Sequence, residues 1–319
     1  MLQREQSILR KLNRMKHINI CLACDDNYSK YAGVVIASVL ANSNQDTYLN
    51  FYILDGGISQ KHKSEINDLK SIKGCEINFI PINDDDFSEY KKVKTHKYIT
   101  LAAYYRLKLP TLLPDVERVI YLDCDTVVNT DLSELYNINL TTQVFAGARD
   151  INKNYSDNRT YVNSGVLVMD LSKMRELNLE QAFLRWTIEH QASIECGDQE
   201  IINEVCKGNI FVVPDTWNVQ TSDFMNRSSF IKKPNIIHYI AKNKPFNSIS
   251  LCYFKNFYLK YLQMTPWKKS KLEVFIYKYC EQILSIFKFI IHRPTFFLQS
   301  KFYRAFYKTY LVRGECYEK

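Results

Sequence analysis

Between residues 17 and 250, short apolar runs alternate with longer stretches whose apolar positions recur at helical spacing. HINICLAC (17–24) is an apolar run of strand length. YSKYAGVVIASVLANS (28–43) follows it, with Tyr31, Val34, Val35, Ser38 and Val39 on one helical face. LNFYILD (49–55) predicts a second strand, closed by Gly56-Gly57. Ser59 then stands as the N-cap of a polar helix over 60–72 that stops at Gly74. CEINFIPI (75–82) alternates as a third strand, and VERVIYLD (116–123) predicts a fourth. Strand–helix–strand order with short connections predicts an α/β fold, a mostly parallel sheet flanked by helices. Ligands bind such sheets at the carboxyl ends of the strands. Those ends carry Asp25-Asp26-Asn27, Asp55-Gly56-Gly57 and Asp123-Cys124-Asp125, so acidic groups gather where a ligand should sit.

Composition changes this picture at one place. Of 42 Lys and Arg and 34 Asp and Glu in 319 residues, 13 basic but only 4 acidic residues lie beyond residue 249, together with 19 of the 43 aromatic side chains. The remainder is close to neutral, and this break places a boundary near Asn247 between a unit over 1–249 and a basic, aromatic-rich helical extension over 250–319. LEVFIYKYCEQILSIFKFIIH (272–292) is interrupted by Lys278, Glu281 and Lys288, against a spanning helix. Interleaved cations and aromatics through 296–313 fit a helix lying on an anionic lipid surface; an internally packed helical subdomain is the alternative. No nucleic-acid recognition module accompanies these cations. Nine scattered Cys suit reduced thiols, and the one CxxC, Cys21 and Cys24, lies inside an apolar run with no second pair. The charged start lacks an apolar signal core, so the expected location is cytoplasmic.

The sharpest chemical signal is YLDCDTVV (121–128), where Asp123 and Asp125 sit two apart at a strand end. Hard divalent cations take carboxylate oxygens and bridge them to substrate phosphates, though a D-x-D alone is also an ordinary acidic turn. Two enzyme classes use such a pair. Nucleotide-sugar transferases hold a diphosphate through a metal, whereas the run Asp123 to Val127 also resembles the haloacid-dehalogenase phosphatases, whose first Asp accepts a phosphoryl group. That second motif usually opens its domain, and here about a hundred residues of α/β pattern precede it. LACDDNY (22–28) offers carboxylates and an amide to a nucleoside, or else Asp26 or Asn27 caps the next helix. YVNSGVLVMDL (161–171) is an apolar run entered through Asn163-Ser164-Gly165, where Gly165 lets a backbone approach a ligand or simply begins a buried strand. CGDQEIINEVC (196–206) opens a helix with Asp198 and Gln199, Asp198 being equally suited to the helix dipole. NIIHYIAKNKPF (235–246) runs a strand into His238 and Lys244, and a lone His is commonly structural.

Taken in order, ACDDNY, AAYYRLKLP, YLDCDTVV, NSGVLVMDL, GDQ and HY followed by KPF resemble glycosyltransferase family 8 over residues 17 to 250. The likeness is to bacterial lipopolysaccharide and lipooligosaccharide galactosyl- and glucosyltransferases. It implies a GT-A fold, use of Mn2+ (with Mg2+ as the substitute) and retention of the donor's anomeric configuration. Carried over by position, it implies that Asp123, Asp125 and His238 ligate the metal. Ala23, Asp25 and Asn27 would hold uridine, Arg106 would reach the donor, Asn163, Asp198 and Gln199 would surround the hexose, and Lys244 would neutralise the leaving diphosphate. A metal and a lysine at a departing diphosphate stabilise the transition state more than the ground state. Of the two routes to retention, same-face attack is favoured over an Asp198 nucleophile, with Gln199 near the anomeric carbon and Asp198 orienting sugar hydroxyls. The implied partners are UDP-galactose or UDP-glucose and a lipid-linked glycan acceptor at the inner leaflet. Two departures stand out: Ala241 where the family has Gly, and Phe246 where it has Trp. A noncatalytic sugar-nucleotide or glycan-binding protein is the remaining reading.

Overall fold

The computed structural model describes residues 15–93, 100–151, 160–221, 233–240, 244–246 and 254–275. The large sheet has seven strands in the order β3-β2-β1-β4-β7-β6-β8. They are β1 (Lys16–Cys24), β2 (Thr47–Asp55), β3 (Glu76–Pro81), β4 (Arg118–Leu122), β6 (Phe145–Arg149), β7 (Val162–Asp170) and β8 (Ile210–Val212). Strand β1 pairs in parallel with β2 and β4, β2 with β3, and β6 with β8. Only β7 runs antiparallel, between β4 and β6. The expected mixed, mostly parallel sheet is therefore present.

Both faces of this sheet are covered, which is why its strands read as apolar runs rather than strict alternation. Ile18, Ile20, Leu22 and Cys24 of β1 point into one core cluster, and Cys21 points into the other. Residues three apart on a strand face opposite ways. The CxxC of Cys21 and Cys24 thus never forms a pair, and burial pushes the Cys21 thiol well above its ordinary range.

A second, three-stranded sheet sits beside the first in the order β5-β10-β9, from β5 (Thr126–Val128), β9 (Val219–Gln220) and β10 (Ile236–His238). The helix Ser29–Asn42 is wedged between the two. Its residues Ala32 to Leu40 are all buried, so the helical face expected from the sequence extends around the whole element. Ser38 survives in this apolar setting because its hydroxyl donates to Val35 O (2.7 Å) and accepts from Val128 N–H (2.9 Å). Ser59 caps the helix Gln60–Asn67, as expected, by accepting from His62 N–H.

The boundary expected near residue 249 falls in 247–253, outside the described residues. Beyond it, the helix Lys255–Leu262 packs Tyr258, Leu259, Tyr261 and Leu262 against Val34, Val127, Ile237 and Tyr239. Trp267 lies directly over Gly33, where a Cβ would come within 2.2 Å of its ring. The membrane-surface segment read at 296–313, and residues 276–292 of the run before it, also lie outside the described residues. Among the described residues no helix is long and apolar enough to cross a membrane.

Candidate active site and metal centre

Asp123, Asp125, His238, Arg106 and Lys244 come together where β4 hands over to β5. Asp123 follows β4 and continues its ladder, its N–H donating to Gly165 O (2.8 Å). The turn closes with Thr126 N–H and hydroxyl both on Asp123 O, at 3.2 and 2.9 Å. Strand β5 then pairs antiparallel with β10, with His238 opposite Thr126, and Tyr239 N–H donates to Asp125 O (2.9 Å). That register carries a histidine from more than a hundred residues away onto the acidic turn. His238 Nε2 lies 3.2 Å from Asp125 Oδ1 and 3.7 Å from Asp123 Oδ2. One ligand atom from each of the three falls within 4.8 Å of the others.

These groups fit a divalent cation. Adjacent ligands on an octahedral ion at about 2.1 Å stand about 3 Å apart, close to the separations observed. Asp125 Oδ1 is buried and accepts no hydrogen bond, so its lone pairs are available to coordinate an ion. Two carboxylates and one imidazole suit manganese more than magnesium, which favours an all-oxygen shell. Gly165 serves this cluster in a way the sequence did not indicate. A Cβ there would lie 2.2 Å from His238 Cε1 and 2.6 Å from Asp123 Oδ2, so the glycine makes room for two of the three candidate ligands.

Arg106 is the buried counter-charge, 2% exposed, in a 3₁₀ segment Leu101–Lys108. Its Nη2 meets Asp123 Oδ1 at 2.7 Å and its Nε lies 3.2 Å from Asp198 Oδ2. Nε also donates to Ala103 O (2.8 Å), and the guanidinium lies 4.0 Å from the Tyr121 ring centroid. The sequence expected it to reach the donor; its bonds in this structure run to two carboxylates and the backbone. Burial pushes the Asp198 carboxyl up to about 6, Arg106 opposing and Asp123 adding to the effect. Asp125 goes the other way. Burial would raise it, but the Lys244 ammonium beside it outweighs that and holds it well below the usual carboxylate range. Lys244 Nζ is paired directly with Asp125 Oδ2.

Beside the candidate metal site lies an amide network. Asn163 Nδ2 donates to Gln199 Oε1 (2.9 Å) and Asp150 Oδ2 (3.2 Å), and Gln199 Nε2 donates to the same Asp150 oxygen (3.0 Å). Asn163 and Gln199 were expected here; Asp150 and Asn218 were missed. Asp150 had a signal, because it follows β6, which runs parallel to β4 and ends at the same edge. Asn218, in a short irregular stretch, had none. Of the residues expected around uridine, Ala23 and Asp25 are half-buried and Asn27 is exposed. Asp25 Oδ1 accepts from Tyr28 N–H (3.0 Å) and so caps this turn. Asp26, not a helix cap, instead accepts from Ser59 N–H (2.8 Å) and lies 2.6 Å from His62 Nδ1.

The sequence model described as glycosyl transferase family 8 matches residues 19–250. A Haemophilus influenzae protein named as a glycosyltransferase is 33% identical over 246 residues, covering 71% of this chain and 72% of its own. The lipopolysaccharide 1,2-glucosyltransferase of Escherichia coli is 26% identical over 280 residues, 82% of each chain. The crystal structure of the galactosyltransferase LgtC, in complex with donor and acceptor sugar analogues, superposes with a TM-score of 0.71. It is 24% identical, covering 81% of this chain and 99% of its own. That likeness shows the GT-A fold. Together with the family match, it leaves no place for the phosphatase reading of Asp123 to Val127. This chain belongs to glycosyltransferase family 8.

Proposed function

We propose that the protein transfers a hexose, galactose or glucose, from a UDP-sugar to a saccharide acceptor with retention of configuration. The supporting observation is the cluster of Asp123, Asp125 and His238, brought together from two sheets with a buried carboxylate oxygen left unsatisfied. A divalent cation held there, Mn2+ with Mg2+ as substitute, supplies charge neutralisation at the donor diphosphate. The protein's own groups do the rest. Lys244, already drawn to Asp125, sets its ammonium beside the position where the leaving diphosphate gathers charge. Ala23, Asp25 and Asn27 line the edge where the uridine rests. Asn163, Gln199 and Asp150 present amides and a carboxylate to the hexose, and Gln199, a poor nucleophile, favours same-face attack over a covalent intermediate. Arg106 holds Asp123 and Asp198 in place.

The acceptor we favour is lipopolysaccharide core or another lipid-linked glycan. The basic, aromatic composition beyond residue 250 suits a protein working at the cytoplasmic face of the inner membrane. The test is hydrolysis and transfer from UDP-galactose and UDP-glucose with and without Mn2+. Turnover is expected only with metal, and Asp125→Asn is expected to lower it roughly 100-fold or more while the protein stays folded. Full activity in the folded variant would remove the metal assignment. Indifference to both UDP-hexoses would favour a noncatalytic binding role.

A further inference from the structure

The amide network fixes more than the sugar pocket. The backbone N–H of Gly165 can only donate, and it donates to Asn163 Oδ1 (3.0 Å). That oxygen also receives Asn218 at 3.0 Å, so the Asn218 atom facing it is the amide nitrogen. Asn218 Oδ1 therefore faces the other way, onto His238 Nδ1 at 3.1 Å. A carbonyl oxygen only accepts, so Nδ1 carries the proton and, in the neutral ring, Nε2 keeps its lone pair. Nε2 is the atom that looks at Asp123 and Asp125. The far end of the chain of bonds is pinned in the same manner: Ser164 N–H donates to Gln199 Oε1 (3.2 Å), so Asn163 turns its nitrogen to that oxygen. Two backbone N–H groups thus set the direction of every amide between Gln199 and the histidine.

We infer that Asn218 is a positioning residue that orients His238 as a metal ligand and, through Asn163, joins the metal centre to the sugar pocket. Asn218 is 2% exposed and sits beside β9, which pairs in parallel with β10, so the backbone holds it one strand away from the ring it directs. Partners of this kind hold a ligating imidazole's tautomer and ring plane, and losing one weakens metal affinity by about 10- to 100-fold. The inference rests on the metal reading proposed above, and its test separates the two.

Mn2+ affinity of the full chain, read from the electron paramagnetic resonance signal of free Mn2+, is compared among wild type, His238→Ala, Asn218→Ala and Asn218→Asp. Asn218→Ala is expected to weaken Mn2+ binding about 10- to 100-fold. Asn218→Asp keeps an acceptor for Nδ1 but offers no donor to Asn163. It is expected to hold Mn2+ within about threefold of wild type while losing UDP-hexose turnover, a split that simple destabilisation does not produce. Wild-type affinity in Asn218→Ala, or equal weakening in both Asn218 variants, overturns the role assigned to Asn218. Equal affinity in wild type and His238→Ala overturns the metal reading beneath it.

Discussion

The two ends of the large sheet carry similar chemical groups in opposite conditions. At the end where β1 and β4 finish, Arg106 is enclosed between Asp123 and Asp198, and buried oxygens of Asp125 and Asp198 lack hydrogen bonds. At the other end, Asn19, Tyr52, Asp115, Arg118, Tyr136 and Asp170 line a cavity of about 580 Å³. There the arginine is spent on structure. Arg118 Nη1 donates to the carbonyls of Tyr136 and Ile138 at 3.0 and 3.1 Å, and its contact with Asp170 is loose at 3.7 Å. Asn19 donates to Arg118 O, and Asp170 caps the helix Leu171–Glu176. Charged residues are common to both ends. The difference is unspent bonding capacity, carboxylates crowded together with buried oxygens that accept no hydrogen bond, and that is the mark of a site built for a ligand.

Breaking each end in turn sharpens the contrast. Arg106→Met leaves the half-buried Asp123 and the buried Asp198 without their cation, and chemical denaturation should show a loss of about 3–5 kcal/mol. The effect of Asp198 comes next. Its folded-state carboxyl is raised from 3.8 to about 6, so the native state holds this proton more tightly than the unfolded chain and loses stability as pH rises between those values. Asp198→Asn cannot titrate. Its stability relative to wild type should therefore climb between pH 4 and pH 7, by up to about 3 kcal/mol, in unfolding curves taken at both. The smallest effect belongs to the far end. Asp170→Asn keeps an acceptor for Lys173 N–H and should cost less than about 1 kcal/mol, with turnover of UDP-hexose unchanged within about twofold. A large activity loss in Asp170→Asn would erase the distinction between the two ends.

Much of the fold was legible because its signals are local. The runs at 17–24, 49–55 and 75–82 became β1, β2 and β3 within a residue or two, since strand length, flanking Gly and apolar content need no distant partner. The helix at 28–43 was found for the same reason, but its burial on all sides was not. That depends on a second sheet formed from β5, β9 and β10, three strands of two or three residues each, too short to show a period. Arg106 was expected among the functional groups, yet its role as a clamp between Asp123 and Asp198 depends on where two distant segments cross. Asp150 obeyed the strand-end rule already in hand, whereas Asn218 takes its place from Asn163 and from a histidine twenty residues on.

By itself the sequence determined which atoms were available: carboxylates at strand ends, an imidazole after a short apolar run, amides at the mouth of another, and a basic aromatic tail. Periodicity and motif order also determined the strand–helix alternation that puts those groups on an α/β scaffold. Only the tertiary structure decided their relations. The pairing of β10 with β5 sets His238 against Asp123 and Asp125, the missing Cβ of Gly165 leaves room for them, and two backbone N–H groups dictate which way each amide turns along the chain of bonds that ends at the histidine. The reason is physical. A residue type fixes charge and hydrogen-bonding capacity along the chain, but direction and distance between groups far apart in sequence arise only when strands pair and exclude water.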